Sequence, residues 1–178
     1  KTKYLFILLF FLVFSACTKE EVNWEKYYAT AMLNGALWED WPHSVADYVV
    51  SKNNKLSFRL IKFHYEDDSK FFKELITFSN IDFSYDTIQL KFLMPGNRVD
   101  SIPTVRYYIK DHDATEKTYD LLETDTFDNW LIVEKVGKHE FRGRFQIAVK
   151  KLQQSPTNSS YRPDTLYFTE GEFLARGY

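Results

Sequence analysis

The sequence is poor in the residues that cross-link or bend a chain. Its 178 residues include 1 cysteine, 5 prolines and 6 glycines. A single cysteine cannot close a disulfide bond within the chain, which excludes a small scaffold held together by disulfides. The low glycine and proline content, without any biased segment, also excludes a low-complexity chain.

An excess of positive charge is also missing. The chain has 23 Lys+Arg against 25 Asp+Glu, a formal net charge of −2, and no basic stripe. Neutralising the phosphates of a nucleic acid requires clustered lysine and arginine, so the sequence predicts no nucleic-acid partner. The acidic balance also argues against a protein face that binds a membrane by electrostatic attraction.

The common catalytic and metal-binding motifs are absent. The sequence contains no GxSxG, no SxxK and no P-loop segment. Four histidines are present, none with a partner at a metal-ligand spacing: His43, His64, His112 and His139. The sequence therefore predicts no metal and no cofactor. A Ser-His-Asp triad assembled from distant positions stays open, because triads are defined by geometry.

One acidic segment has the beginning of a calcium-binding loop. It is "DHDATE" at residues 111–116. An EF-hand needs glycine at the sixth loop position and glutamate at the twelfth, whereas this chain has Glu116 and Leu122 there. We therefore reject an EF-hand, and a looser metal site in this loop stays open as an alternative. The acidic stretches at 65–68 and 125–129 are interpreted as polar hairpin loops.

The N-terminal segment has the layout of a secretory signal peptide. Lys1 and Lys3 precede an apolar run from Tyr4 to Phe14, and the small residues Ser15 and Ala16 follow it. This run is too short for a membrane-spanning helix, which needs about 20 apolar residues. We predict that residues 1–16 are a cleaved signal peptide.

The lone cysteine follows that segment directly. "FSAC" at 14–17 resembles a bacterial lipobox, with Phe14 at the position where leucine is usual. The resemblance implies that the thiol of Cys17 carries a lipid anchor, with residues 17–25 as lipidated cysteine and tether. Acyl chains contribute about 0.8 kcal/mol per buried CH₂, and more than one chain gives stable attachment. The implied partner is a membrane, bound through the lipid on Cys17.

The residues behind the cysteine extend the resemblance. Lys19, Glu20 and Glu21 resemble a surface-export signal of Bacteroidota lipoproteins, which directs a protein to the outer leaflet of the outer membrane. The implied location is the bacterial outer membrane, with the protein facing outward; the alternative is the periplasmic face. Loss of residues 1–16 leaves 162 of 178 residues and lowers Lys+Arg from 23 to 21 against 25 Asp+Glu, a formal charge of about −4.

Aromatic residues are abundant in the remaining chain. The full sequence has 16 Phe, 12 Tyr and 4 Trp, and aromatic and β-branched residues favour strands. Short alternating segments recur without a long helical period, so residues 26–178 are predicted to form a single all-β domain, an antiparallel β-sandwich or barrel. The predicted strands are 27–35, 45–51, 55–65, 73–83, 86–93, 104–111, 116–124, 129–136, 139–152 and 165–177.

Two strands carry more specific expectations. In 55–65 the alternation changes phase, which indicates either a bulge or a strand buried on both faces. In 139–152, Phe141, Phe145, Ile147 and Val149 share one face, and Arg142, Arg144, Gln146 and Lys150 share the other. A short helix is expected at the start of 73–83.

A second resemblance covers the two ends of the domain. "ATAMLNGALWED" at 29–40, "FRGRFQIAV" at 141–149 and "FTEGEFLA" at 168–175 resemble small Bacteroidota lipoprotein domains of unknown function. The resemblance implies a β-rich fold and no established activity. Asn34-Gly35 predicts a turn, and Trp38 is expected to pack on the core. Gly143 and Gly171 indicate bulges, or places where an aromatic ring crosses the backbone.

Three segments share a further pattern, an aspartate followed by a hydroxyl residue and an aliphatic residue. Their hydroxyl residues are Thr87, Ser101 and Thr165. The pattern resembles the O-glycosylation sequon of exported Bacteroidota proteins. The same letters also occur where a strand simply begins.

We expect a binding or accessory role rather than catalysis, because discrete polar constellations are missing. The ligand would be an extracellular glycan or a protein. Three residues could stack on a sugar or a peptide, and the alternative for each is a packing or rim position: Trp41, Trp130 and Tyr161. One alternative is a cell-surface hydrolase of glycans or peptides, which clustered Asp/Glu and aromatics in one cleft would support. Another is a calycin-like barrel around an apolar ligand, which a filled core would contradict. Oligomeric state stays open.

Overall fold

A computed structural model describes most of the predicted domain. The described residues are 23, 26–39, 47–50, 55–67, 70–82, 84–92, 102–111, 114–137, 139–152 and 162–176. No helix among them is long and apolar enough to cross a membrane.

The described secondary structure consists of strands, which confirms the all-β class. The strands are β1 (Tyr28–Leu33), β2 (Ala36–Glu39), β3 (Asp47–Val50), β4 (Leu56–Asp67), β5 (Lys70–Ile81), β6 (Ser84–Gln89), β7 (Thr104–Asp111), β8 (Ala114–Leu121), β9 (Trp130–Lys135), β10 (Glu140–Lys151) and β11 (Thr165–Arg176). The helix expected at the start of 73–83 is wrong, because β5 already runs as a strand from Lys70 and pairs with β4 there.

The strands form one antiparallel sheet that curls into a half-barrel. Its main path runs β2-β1-β11-β10-β8-β7-β5-β4-β3. Strand β10 is the branch point, because its residues 141–146 pair with β9 and its residues 149–151 pair with β8. Strand β9 in turn pairs with β6. Through this branch, β10 is hydrogen-bonded to β9 along one part of its length and to β8 along the other.

The predicted turn at Asn34-Gly35 is confirmed. Both residues have positive φ, 49° and 80°, as a type I′ hairpin turn between β1 and β2 requires. Asn34 also ties the turn to β11, since its Oδ1 accepts a hydrogen bond from the amide of Tyr167 at 2.9 Å. The turn starts β2, which the sequence did not predict as a separate strand.

The two strand glycines are each covered by an aromatic ring of the neighbouring strand. Gly143 on β10 lies opposite Phe173 on β11, and Phe145 on β10 lies opposite Gly171 on β11. A Cβ at Gly143 would meet the carbonyl oxygen of Ile132 at 2.5 Å, and one at Gly171 would meet the Phe145 ring at 2.6 Å. The prediction that an aromatic ring crosses the backbone at both glycines is therefore confirmed.

Bulges and double burial account for the irregular strands. The β10–β11 register shifts beside Glu170, whose φ is 53°, and the β4–β5 register shifts beside Asn80, whose φ is 60°. Bulges bend a strand and increase its twist, which helps the sheet to curl. The phase change in β4 has the other predicted cause, since Leu60 and Ile61 are both buried while the register there stays continuous.

Aromatic rings fill the space between the facing halves of the sheet. Phe173 on β11 lies 5.0 Å from Phe58 on β4 between ring centroids. Phe145 on β10 lies 5.5 Å from Phe78 on β5. Such ring pairs add about 0.5–1.5 kcal/mol beyond the area they bury. The interior between these strands is therefore a packed core.

The long strand β10 separates two ends of the molecule. At the Glu140 end, the carboxylate of Glu140 accepts hydrogen bonds from Lys26 Nζ at 2.7 Å and Tyr27 Oη at 2.9 Å. At the Lys151 end, the amide of Lys151 donates to the carbonyl of Asp164 at 2.8 Å. With about 3.3 Å per residue, these ends lie about 36 Å apart. The chain enters the sheet at the Glu140 end.

Candidate functional site

Two polar assemblies stand out, one inside the sheet and one outside it. The interior assembly, here called the Glu74 centre, consists of Trp38, Glu74, Tyr107, Tyr119 and Arg162. It is built by strand alternation, because Glu74, Ile76 and Phe78 follow one another on the inner face of β5 and all three are buried. Glu74 therefore occupies a position where the pattern places an apolar residue.

The carboxylate of Glu74 has polar partners on both oxygens. Its Oε2 accepts a hydrogen bond from Trp38 Nε1 at 2.6 Å. Its Oε1 accepts from Arg162 Nη2 at 2.7 Å and from Arg162 Nε at 3.2 Å. The side chain of Glu74 is fully buried and that of Arg162 is 22% exposed. A buried carboxylate needs such charged and neutral donors to offset its desolvation.

These contacts cross the interior of the half-barrel. Trp38 lies on β2, at one end of the strand order, whereas Glu74 lies on β5, near the other end. The Trp38 ring also meets Phe168 on β11 edge-on at 5.7 Å, and Lys62 Nζ lies 5.7 Å from its centroid. The prediction that Trp38 packs on the core is confirmed, and its indole joins the two halves of the sheet.

The two tyrosines of the centre stay protonated at neutral pH. Burial, followed by the charge of Glu74, raises the pKa of Tyr107 well above its ordinary value of 10.0. Burial, followed by the charge of Asp164, raises the pKa of Tyr119 to about 12. The Tyr107 hydroxyl lies near Glu74 but completes no hydrogen bond within the described residues. The Tyr119 hydroxyl donates to the carbonyl of Pro163 at 3.2 Å.

The Glu74 centre is a structural cross-link between elements rather than an acid–base site. Both oxygens of Glu74 already accept hydrogen bonds from Trp38 and Arg162, so neither is poised to take a proton from a substrate. The tyrosines are too weakly acidic to act as nucleophiles near neutral pH. The Glu74 centre therefore holds β2, β5 and the segment before β11 together.

The second assembly, here called the outer groove, lies on the opposite face of the sheet. It is an open groove of about 540 Å³ across β1, β11, β10 and β9. Its lining residues are Tyr28, Ile132, Glu134, Arg142, Gly143, Arg144 and Glu172.

The alternation of β10 places its two arginines outside. Phe141 and Phe145 are buried, whereas Arg142 and Arg144 are exposed, as the sequence predicts. Strand register then adds the partners. Arg142 lies opposite Glu134 on β9, and Arg144 lies opposite Glu172 on β11. The groove therefore has two arginine–glutamate pairs in adjacent rows.

The two pairs differ in their contacts. Arg142 Nε and Nη2 lie 2.6 and 2.5 Å from Glu134 Oε1, which makes a closed ion pair. The exposed side chains of Arg144 and Glu172 make no hydrogen bond or ion pair with any residue that the structure describes. They form an open pair, whose donors and acceptors are accessible to a ligand.

An aromatic residue completes the outer groove. Tyr28 begins β1 and is 41% exposed, whereas its neighbour Tyr27 points inward and is only 3% exposed. Tyr28 lies opposite Leu174, which is paired on its other side with Arg142. The phenol ring and the closed ion pair thus share one row across four strands.

The residues singled out from the sequence are not brought together. The predicted anchor residue Cys17 and the predicted export residues lie outside the described residues. The export residues are Lys19, Glu20 and Glu21. Ser101, Trp41 and Tyr161 also lie outside the described residues. Thr87 is exposed on β6, where the register with β9 is interrupted between Ser84 and Ile88.

The other two described candidates are less accessible. Thr165 is partly buried at the start of β11, opposite Lys150. Trp130 is partly buried at the start of β9, opposite Gln146, and is not part of the outer groove. Within the described residues, no group of three or more His, Cys, Asp or Glu side chains could hold a metal ion.

Sequence reasoning missed both assemblies. For the Glu74 centre a signal existed, because Glu74 interrupts an alternating apolar face that continues through Ile76 and Phe78. For the outer groove only the arginine face of β10 was visible. Comparison of the chain with protein-family models, with curated proteins and with solved structures finds no match.

Proposed function

We propose that the protein is a lipid-anchored, surface-exposed outer-membrane lipoprotein with a non-catalytic binding role, and that its ligand occupies the outer groove. The observation that carries the proposal is the open Arg144–Glu172 pair beside the exposed ring of Tyr28. Exposed polar and aromatic side chains on a paired sheet form a binding site without a large rearrangement.

The entry of the chain supports an anchored orientation. Lys26 and Tyr27 are fixed to Glu140, and the outer groove begins with the next residue, Tyr28. The proposed tether from Cys17 to Lys26 has nine residue steps and reaches at most about 30 Å. The groove would therefore stay within that distance of the membrane surface, with the Lys151 end directed away.

Two features favour binding over the alternatives from the sequence. The rings of Phe58, Phe78 and Phe145 pack between the facing strands, which argues against a calycin-like barrel around an apolar ligand. Both oxygens of Glu74 are engaged, which argues against acid–base chemistry in the interior.

One observation keeps a hydrolase as the second candidate. Glu134 and Glu172 line the same groove as Tyr28, so two carboxylates and an aromatic ring share one cleft. Glycoside hydrolysis uses a pair of carboxylates on either side of the scissile bond. If this candidate were correct, Glu172→Gln would abolish release of sugar from a bound glycan while leaving its binding intact.

Of the hydroxyl residues in the glycosylation-like pattern, Thr87 is the one we propose to be modified. It is exposed on β6, and β6 is paired on its β9 side, whereas Thr165 is partly buried within the β10–β11 ladder. The intact mass of protein purified from its natural host would then exceed the mass of the lipidated mature chain, and Thr87→Ala would remove that excess. An unchanged excess in Thr87→Ala would assign the modification elsewhere.

Protease shaving of intact cells tests the proposed location. The native protein should be digested, and Cys17→Ala should be lost from membranes. Replacement of Lys19, Glu20 and Glu21 by alanine should leave a membrane-bound protein that is protected. A native protein that is membrane-bound yet protected would overturn the outward location and keep the anchor.

A further inference from the structure

We infer that the outer groove binds a neutral oligosaccharide, with its polar hydroxyls on the Arg144–Glu172 pair and a sugar face on the Tyr28 ring. The inference rests on the proposed function, because it names the class of ligand for the same groove. It is carried by the juxtaposition of the Arg142–Glu134 ion pair, the unbonded Arg144 and Glu172 side chains and one exposed aromatic ring across four strands.

The charge of the outer groove is balanced. It has two arginines and two glutamates, and each arginine lies opposite one glutamate in the strand register. Two opposite charges close together produce little net field at a distance. For an anionic polymer, repulsion by Glu172 therefore cancels the attraction by Arg144. A neutral ligand is not penalised by this cancellation.

The open pair offers complementary hydrogen-bonding groups. Arg144 supplies only N–H donors, and the carboxylate of Glu172 supplies only acceptors. A sugar hydroxyl donates and accepts at once, so two neighbouring hydroxyls can use both residues. Hydrogen bonds to ionised groups are also stronger than those between neutral groups. The arrangement therefore fits a ligand with adjacent hydroxyls better than an apolar ligand.

The aromatic ring gives the groove its flat surface. Tyr28 is exposed, while the preceding Tyr27 is buried and bonded to Glu140, so the backbone at the groove is fixed. A tyrosine ring supplies contact area at a small cost in conformational entropy. The apolar C–H face of a pyranose can pack on such a ring while its hydroxyls point to the charged pairs.

An extended peptide fits this face less well. Peptides that add to a sheet hydrogen-bond with the free backbone groups of an edge strand. The groove instead lies on the face of the sheet, where β10 is already paired with β9 on one side and with β11 on the other. A peptide in the groove would leave its own backbone groups without main-chain partners.

Native affinity electrophoresis of the mature chain tests the inference. The probes would be neutral polysaccharides of glucose, mannose, galactose and xylose in both α- and β-linkages where available, and two acidic polysaccharides, polygalacturonate and hyaluronate. At least one neutral probe should retard the protein, and raising the salt concentration should not weaken the effect. Retardation by none of the neutral probes would overturn the inference.

The variants separate the groups within the groove. Tyr28→Ala and Arg144→Ala should each weaken binding at least tenfold, whereas Tyr28→Phe should retain it because the ring is what packs. Arg142→Ala, which removes the closed pair, should weaken binding less than Arg144→Ala. Lys150→Ala at the other end of β10 is the matched surface control and should bind normally.

Other outcomes separate the inference from the proposed function. Binding of an acidic polysaccharide that salt abolishes, or of a peptide from an array of extended peptides, would overturn the neutral-glycan inference. If that binding were lost in Tyr28→Ala, the groove would keep its proposed role. If binding of every probe were unchanged in Tyr28→Ala and Arg144→Ala, both would fail.

Discussion

The Glu74 centre and the outer groove use the same chemistry on opposite faces of one sheet. In each, an arginine meets a glutamate that lies on another element, and an aromatic side chain stands beside them. The environments differ, since Glu74 is fully buried whereas the side chains of Arg142 and Glu134 are 60% and 29% exposed. The same pair therefore contributes differently to stability in the two places.

The difference follows from desolvation and screening. Breaking a buried ion pair from one side leaves a charge that water cannot reach, whereas an exposed pair is screened and exchanges its partners for water. The interior pair thus constrains how the strands close, and the exterior pairs stay available to a ligand. Side-chain chemistry alone does not distinguish the two roles, but burial does.

The largest expected effect comes from Arg162→Ala. This change removes both N–H donors of Arg162 from the buried carboxylate of Glu74, so it should lower the free energy of unfolding by about 3–5 kcal/mol. Urea denaturation followed by tryptophan fluorescence would measure the loss.

The matched variant on the outer face is Arg142→Ala. Because that pair is exposed, it should change the free energy of unfolding by at most about 1 kcal/mol. If Arg142→Ala destabilised the protein as much as Arg162→Ala, burial would not be what distinguishes the two assemblies.

A smaller effect is expected from Trp38→Phe. The phenyl ring can keep the edge-on contact with Phe168 but cannot donate to Glu74, so the loss should be about 1.5–3 kcal/mol, the value for a hydrogen bond to a charged group. Thermal unfolding compared with Trp130→Phe, at a partly buried position outside the centre, would check it. Equal losses in the two variants would show that the bond to Glu74 adds nothing.

The tyrosines predict how the interior responds to alkali. The pKa of Tyr119 is about 12 in the folded protein, above its ordinary value of 10.0. The unfolded chain therefore loses this proton first, and stability present below pH 10 should decline as pH rises from 10 to 12. In Tyr119→Phe, urea midpoints measured over this range should decline less steeply. An unchanged slope would exclude Tyr119 as a cause.

The smallest change in stability is expected from Glu140. Its side chain is 24% exposed, a value between those of Glu74 and Arg142. Hydrogen bonds from Lys26 and then Tyr27 lower the pKa of Glu140 below its ordinary value of 4.5, and the bond to Glu140 raises that of Lys26 above 10.5. The Lys26–Glu140 contact contributes its full stability between the ordinary pKa values, from pH 4.5 to pH 10.5. It is lost as pH falls through the lowered pKa of Glu140 or rises through the raised pKa of Lys26.

Glu140→Gln tests this contact through its pH dependence. The variant should be slightly less stable than the native protein at pH 7, and the difference should shrink as the pH falls below 4.5. Urea midpoints at pH 3 and pH 7 would measure both. A difference that stays the same at pH 3 would assign the effect to packing rather than to the charge of Glu140.

Much of the fold was predictable where short-range patterns determine structure. The alternation in β10 correctly separates buried Phe141 and Phe145 from exposed Arg142 and Arg144, and Asn34-Gly35 correctly marks a hairpin turn. These features depend on backbone geometry and on a period of two residues, which a single sequence displays.

The candidate sites were not predictable because they depend on distant pairings. Glu74 is 36 residues from Trp38 and 88 from Arg162 along the chain, and Glu172 meets Arg144 only through the register of β11. That register includes a bulge beside Glu170, which displaces the partners by one residue. Sequence alternation assigns a face to each residue but does not identify the residue opposite it.

The direct passage from Tyr27 into Tyr28 has a mechanical consequence. β1 is both the first strand after the proposed anchor and one wall of the outer groove, and it is paired with β11 on one side and β2 on the other. A pull between a lipid on Cys17 and a ligand held in the groove would act along β1. Such a pull loads the ladder hydrogen bonds in shear, all at once, rather than one after another. If the proposed anchor and ligand are correct, such tension would pass through β1 and its pairing with β11.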